Sequence, residues 1–279
     1  MNELESSKIK DIIASVMQNN QKESIHIKLL DEIPSLFDSK FGGIPYIPKD
    51  TGCPTNQEGE QLKLLAQINL SELKENGILP DKGILQFFIY PDDLYGVDFD
   101  NPTKQDGFKV VYYDDIDTSV TLSDVEPKII NYNIDGYNYL FPLTGQCKLD
   151  FKYGYEPISI GDYSFESKFI EEYNANFPDA RINDLYDDLG DDVFDIIDKE
   201  KGTTDCGHKI GGYPFFTQQD PRSCMDYDEF DTLLLQIDTD SAKEFEIMWG
   251  DSGVCNFFIN SEDLKNLDFS NVLYNWDCC

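Results

Sequence analysis

The chain has 279 residues and a mass of 32.0 kDa, room for one large domain or two ordinary ones. Hydrophobic residues make up 40% of it, including 19 Phe and 16 Tyr, which excludes wholesale disorder. Asp and Glu number 54 against 22 Lys and Arg, a net charge of −32 that disfavours nucleic acid and anionic membrane as partners.

Met1-Asn2-Glu3-Leu4-Glu5 offers neither the basic nor the apolar region of a secretory signal, and the longest apolar runs, such as Ile84 to Tyr90, fall short of the ~20 residues of a membrane span. The expectation is a cytoplasmic protein with reduced thiols. The seven cysteines are odd in number and follow no zinc spacing, and the vicinal Cys278-Cys279 pair lacks further ligands. Neither a metal nor a cofactor is expected.

In chain order, Ile9, Ile12, Ile13 and Val16 recur at helical spacing, predicting a helix over about 3–20 that opens with an Asn2/Glu5 capping box. His26 to Leu30 reads as a short strand. From Gly42 onward three blocks occur that return later. Gly42-Gly43-Ile44-Pro45 recurs as Gly211-Gly212-Tyr213-Pro214, Leu64-Leu65-Ala66-Gln67-Ile68 as Leu233-Leu234-Leu235-Gln236-Ile237, and Gly83 to Ile89 as Gly253 to Ile259. Same order and nearly constant offset predict a duplicated β-rich unit, about 40–95 and 210–265, with an insertion over about 96–209. The fold class expected is α+β: mostly antiparallel or mixed sheets, peripheral helices, and 1–279 as a single domain.

Within the unit, Leu62, Leu64, Ala66, Ile68 and Leu70 alternate as one face of a strand, with Leu233, Leu235 and Ile237 as their counterparts. Gln67, Gln86, Gln236 and Asn256 then fall among apolar neighbours on the other face. A buried amide needs hydrogen-bond partners. Two readings follow: the four amides tie down loop backbone, or they line a pseudo-symmetric groove for a polar ligand. Gly-Gly-x-Pro reads as a turn into a strand, since a phosphate loop needs a longer glycine-rich run and a lysine.

In the insertion, Lys109 to Tyr113 and Tyr137 to Tyr155 read as strands, while Phe165, Phe169 and Tyr173 mark a helix. Ile182 to Lys201 reads as a second helix with Leu185, Leu189, Val193, Ile196 and Ile197 on its apolar stripe and a run of aspartates on the rest. Such a run is a solvated face or a docking surface for a basic partner. No stretch meets the calcium-loop pattern.

Only two histidines exist. His26 reads as packed within its strand. His208, with Asp220 and Arg222, is the one candidate catalytic set, an acid–base pair with an anion clamp. Its alternative is a loop pinned by an Asp220–Arg222 pair. Gly250-Asp251-Ser252-Gly253 reads as a turn and not as a protease nucleophile.

Ser39 to Pro48, the Leu-Leu-Ala-Gln-Ile and Phe-Phe-Ile strands, His208 to Pro214, Gln219-Asp220-Pro221-Arg222, Met248 to Gly253 and Asn275-Trp276-Asp277-Cys278 together resemble the YwqG-like family over roughly residues 25–279. Where members of that family often carry Trp-Pro, this chain has Cys53-Pro54. The resemblance implies a bacterial, soluble α+β protein with an internal duplication and assigns no activity and no catalytic residues. The residues themselves favour a non-enzymatic binding module whose acidic surface takes a basic protein, in the manner of an immunity protein. The alternative is an enzyme or polar-ligand binder working in a groove between the two repeats.

Overall fold

A computed structural model describes residues 3–130, 140–200, 206–223 and 227–279. Helix α1 spans Glu3–Asn19 and leads into β1 (Gln21–Leu30), a ten-residue strand that is longer than its apolar run suggests. Then come β2 (Lys40–Gly42), β3 (Lys63–Asn69), β4 (Ile84–Ile89), β5 (Phe108–Tyr113), the single-turn α2 (Leu122–Val125), β6 (Leu143–Thr144) and β7 (Gln146–Pro157). Helices α3 (Phe165–Asn176), α4 (Leu185–Leu189) and α5 (Asp192–Glu200) follow. The chain closes with β8 (His208–Gly211), β9 (Thr232–Asp238), β10 (Asp240–Ala242), β11 (Phe245–Ile247), β12 (Val254–Ile259), α6 (Ser261–Lys265) and β13 (Val272–Asp277).

Ten strands form one antiparallel sheet in the order β13-β12-β9-β8-β1-β7-β2-β3-β4-β5, and β10, β11 and β6 form a small second sheet. The fold is α+β. The large sheet reads the same from either edge: two five-stranded halves meet at the β1–β7 pair. Lys148 of β7 pairs with Lys40 as His26 of β1 pairs with Lys209. Each half carries one β-bulge, at Leu65 (Leu64 opposite Phe88, Ala66 opposite Phe87) and at Leu234 (Leu235 opposite Phe257, Leu233 opposite Phe258).

The bulge corrects the expected continuous apolar face. One extra residue turns the strand over. Leu62 and Leu64 join Phe88 on the outer face, while Leu65, Ala66 and Ile68 point into the main core. In the other half Leu233 lies outside with Phe258, and Leu234, Leu235 and Ile237 inside. The inner faces of the two halves pack on each other. Phe87 of β4 lies 4.9 Å (ring centroids) from Phe257 of β12, and Phe108 of β5 lies 5.1 Å from Tyr274 of β13. The sheet is therefore rolled around a shared core, with contact spacing suited to tilted aromatic pairs.

The expected insertion over about 96–209 is also corrected. Its strand β7 occupies the centre of the sheet and β5 forms an edge, so only the helices from α3 to α5 stand apart. These pack on α1 through Ile9, Ile12, Ile13 and Val16 against Phe165, Phe169, Val193, Ile196 and Ile197. The single helix expected over Ile182 to Lys201 is broken. Gly190, at φ 74°, ends α4 in the conformation that favours glycine, and Asp184 caps the start of α4 by accepting from the Asp187 N–H at 2.8 Å. Tyr137 to Tyr139 of the second expected strand, and Lys201 at the end of the helix, lie outside the described residues.

Candidate functional site

The four amides are fully buried and hydrogen-bond loop backbone, while Gln86 Oε1 and Asn256 Oδ1 accept no hydrogen bond from the described residues. Gly42 and Gly43, and likewise Gly211 and Gly212, all adopt positive φ and swing the chain out of β2 and β8. In the first half the loop returns so that the Tyr46 N–H donates to Gln67 Oε1 (2.8 Å) and Gln86 Nε2 donates to the Tyr46 carbonyl (2.7 Å). Gln67 Nε2 donates to the Leu36 and Asp38 carbonyls, both at 2.9 Å. The second half repeats the pattern: the Phe215 N–H donates to Gln236 Oε1 (2.7 Å), Asn256 Nδ2 to the Phe215 carbonyl (3.0 Å), and Gln236 Nε2 to the Gly207 carbonyl (2.8 Å).

The amides line no shared groove. They project from the outer faces of β3/β4 and β9/β12, while the inner faces meet in the core, so the two pairs point away from each other. The geometry is that of the loop-tying reading.

Asp220 and Arg222 are paired, but His208 lies apart from them. His208 is buried on β8 with its ring edge against Phe41, 5.2 Å between centroids. Its Nδ1 accepts the Asp238 N–H at 3.0 Å, which leaves the proton on Nε2, 3.3 Å from Asp240 Oδ2. This contact, ahead of burial, holds the Asp240 carboxyl below its usual range. Arg222 sits on the outer face, its guanidinium over the rings of Phe258 (4.3 Å) and Tyr163 (4.5 Å). Nε and Nη2 donate to the two Asp220 oxygens at 2.9 and 2.7 Å, Nη2 also to Asp162 Oδ2 at 3.0 Å, and Nη1 to the Phe230 carbonyl at 3.2 Å. Asp220 also accepts the Tyr163 N–H at 3.0 Å. A guanidinium so saturated has no fork left for a ligand anion. Ser252 of the Gly-Asp-Ser-Gly string is exposed in the turn before β12.

Buried Glu156 and Lys209, with half-exposed His26, which the sequence reads only as packed in its strand, form a charged cluster at the sheet centre. Glu156 of β7 accepts from Lys209 Nζ of β8 at 2.9 Å, and its other oxygen lies 3.0 Å from His26 Nε2 of β1. Burial pushes the Glu156 carboxyl up, but the hydrogen bond to His26 and the charge of Lys209 outweigh it, leaving a net lowering. Lys40 holds the place in β2 that Lys209 holds in β8. Its ammonium donates to the Ser35 and Leu36 carbonyls (2.9 and 3.0 Å), and burial lowers its pKa to about 8. The signal was present in the repeat, Lys40-Phe41-Gly42-Gly43 against Lys209-Ile210-Gly211-Gly212. Glu156 has no such marker, since it comes from outside the repeated blocks.

Beside this cluster opens a cavity of about 480 Å³ between β1 and β9, bounded by Lys22, Ile78, Thr232, Leu233, Leu264 and Leu267 among others. Its size is in the range of small-ligand sites. Lys22 donates to the Asp231 carbonyl at 3.3 Å and lies 4.6 Å over the Tyr213 ring. A second hollow of similar size lies between residues 30–33 and 242–245. Among the described residues no three His, Cys, Asp or Glu side chains gather as metal ligands, and no helix is long and apolar enough to cross a membrane.

A family model described as "Domain of unknown function (DUF1963)" matches residues 39–278. The chain belongs to the DUF1963 family. A search of curated proteins returns no match. The DUF1963 match opens just ahead of β2 and takes in β7, so β1, the strand that supplies His26 to the ion cluster, comes from before it. It includes α4 and α5. Here Asp184, Asp187, Asp188, Asp191, Asp192, Asp195 and Asp198 are all exposed, against Arg181 and Lys199. Two aromatic side chains stand among them: Tyr186 is 59% exposed and Phe194 40%.

Proposed function

We propose that this DUF1963 protein is a non-enzymatic binding module that docks a basic protein partner on the face formed by α4 and α5, in the manner of an immunity protein. One observation carries the reading: exposed aspartates surround exposed Tyr186 and Phe194. Solvated carboxylates alone need no partner. Two aromatic side chains among them supply the apolar anchors that interface centres use, and the carboxylates steer a cationic surface toward them. The proposal includes a cytoplasmic setting, a YwqG-like place within the family, one domain over the whole chain and an origin by internal duplication. The repeated bulge and the repeated amide contacts support that origin.

The enzyme reading has lost its two supports. Its groove has no common floor, and His208 and Arg222 are engaged on opposite faces of the sheet.

The test compares the wild-type protein with an Asp187→Lys/Asp191→Lys/Asp195→Lys variant and with Tyr186→Ala as immobilised baits, at about 50 mM and about 300 mM salt. A cationic partner is retained by the wild type at low salt, weakened at high salt and lost from both variants. Retention that ignores the charge reversal refutes the proposal.

A further inference from the structure

The two halves differ in what occupies the space beside the central strand of each, and in the second half that space is the cavity between β1 and β9. Because β7 stands to β2 as β1 stands to β8, Thr144 and Gly145 occupy the positions of Lys22 and Glu23. By the offset of the repeats, Lys63 corresponds to Thr232 and Met248 to Ile78. In the first half the corresponding space is filled by the chain itself. Phe141 is buried with its ring 4.1 Å from Lys63 Nζ, the Met248 N–H donates to the Pro142 carbonyl at 2.8 Å, and Leu143 and Thr144 pair with Ile247 and Glu246. An extended segment thus runs into β7 with one aromatic side chain in the slot.

In the second half the segment ahead of β1 is the end of α1, where Asn20 donates through its backbone and side chain to the Val16 carbonyl and the helix turns away toward α3 and α5. Among the described residues none takes the place of Phe141 there, and a cavity of about 480 Å³ is lined by Ile78, Leu233, Leu264 and Leu267 among others.

We infer that this cavity is a binding site for an extended peptide segment of another protein, with a bulky aromatic side chain entering where Phe141 enters in the first half. The segment's flanks are neutral or basic. The two cations at the site are already engaged, Lys22 with Tyr213 and the Asp231 carbonyl, and Lys265 with Glu262 at 2.6 Å. Glu23 and Asp231 also line the cavity, Glu23 accepting the Gly77 N–H at 2.7 Å and Asp231 the Ser261 N–H at 3.0 Å, in a chain of net charge −32 that disfavours acidic flanks. An aromatic residue in a preformed pocket is the usual anchor of such a contact. The site is separate from the acidic helical face.

The probe is the peptide acetyl-Leu-Phe-Pro-Leu-Thr-amide, the order found at residues 140–144, titrated into the full chain and followed by amide chemical shifts. The expected result is saturable shifts at Ile78, Thr232, Ser261 and Leu264. The Phe→Ala peptide should bind at least about tenfold more weakly. Thr232→Trp fills the cavity from one wall and Ser261→Tyr from the other. Either variant, once its melting curve shows that it folds, should abolish the shifts. No shift at about 1 mM peptide, or shifts that survive the filled cavity, overturns the inference. Binding of N-acetylphenylalanine amide as tightly as the peptide overturns it in favour of a small aromatic ligand.

Discussion

Glu156 draws together two neighbouring strands and a turn: the Lys209 side chain from β8, the His26 side chain from β1 and, at 3.4 Å, the backbone N–H of Tyr213 beyond the glycine turn. Removing the carboxylate leaves Lys209, which is fully buried, without its counter-charge. Breaking a buried pair on one side costs roughly 3–5 kcal/mol. Glu156→Gln should therefore lower the unfolding free energy by about that amount in urea titrations at neutral pH. The acid limb gives a second readout. The folded carboxyl lies below its ordinary value of 4.5, so its contribution is fully present above that pH and is lost as pH falls through the folded value. The wild type should lose this part of its stability below about pH 4.5 while Glu156→Gln does not. Parallel pH profiles for the two proteins would show that the cluster contributes nothing. Lys209 is legible as the counterpart of Lys40 in the repeat, but its partners are not, because residues 26, 156 and 209 share neither a motif nor a spacing.

At the scale of the element, the amides show what a repeated pattern can and cannot disclose. Gln67 and Gln236 were legible as polar groups set among apolar strand residues. Their role was not, since it depends on where the loops return. Each holds the turn after a Gly-Gly-x-Pro block to its strand, accepting from Tyr46 in one half and Phe215 in the other. Gln67→Leu keeps the volume and strands the buried Tyr46 N–H and the Asp38 carbonyl, while the Leu36 carbonyl keeps the Lys40 ammonium. It should cost about 2–4 kcal/mol, and Gln236→Leu, which strands the Phe215 N–H and the Gly207 carbonyl, a similar amount. Hydrogen exchange at the Tyr46 amide should rise in the first variant and not in the second. Equal protection in both would remove the amide from its tying role. The bulges at Leu65 and Leu234 were hidden for a different reason: a run of three apolar residues reads the same with or without an extra residue in it. Gly190, in contrast, is an ordinary helix stop overlooked inside a strong apolar stripe.

Over the whole molecule, the charge visible from composition has a consequence for stability. With 54 Asp and Glu against 22 Lys and Arg, most carboxylates cannot each have a Lys or Arg of their own, and those on α4 and α5 repel one another across short distances in the folded state more than in the open chain. Raising sodium chloride from about 20 mM to about 500 mM shrinks the screening length several-fold. If that relieves on the order of 1 kcal/mol, the melting midpoint climbs by about 2–4 °C. A midpoint that stays level or drops would mean that surface ion pairs such as Lys10–Glu200 outweigh the repulsion. The α+β class was legible from alternating and helical stretches, but the single continuous sheet was not. Its central strands, β1 and β7, share no residue string, and only their pairing shows that they play the same part.

That central pairing also sets an order of events during synthesis. The hydrogen-bonding edges of β1 belong to β7 on one side and β8 on the other, Ser24 facing Gly154 and Gly211. Ribosomes add about 5–20 residues per second, so β1 emerges and waits on the order of ten seconds for its second neighbour. During that interval a strand with at least one open edge stands exposed to any chaperone, or to any other nascent copy, that reaches it first.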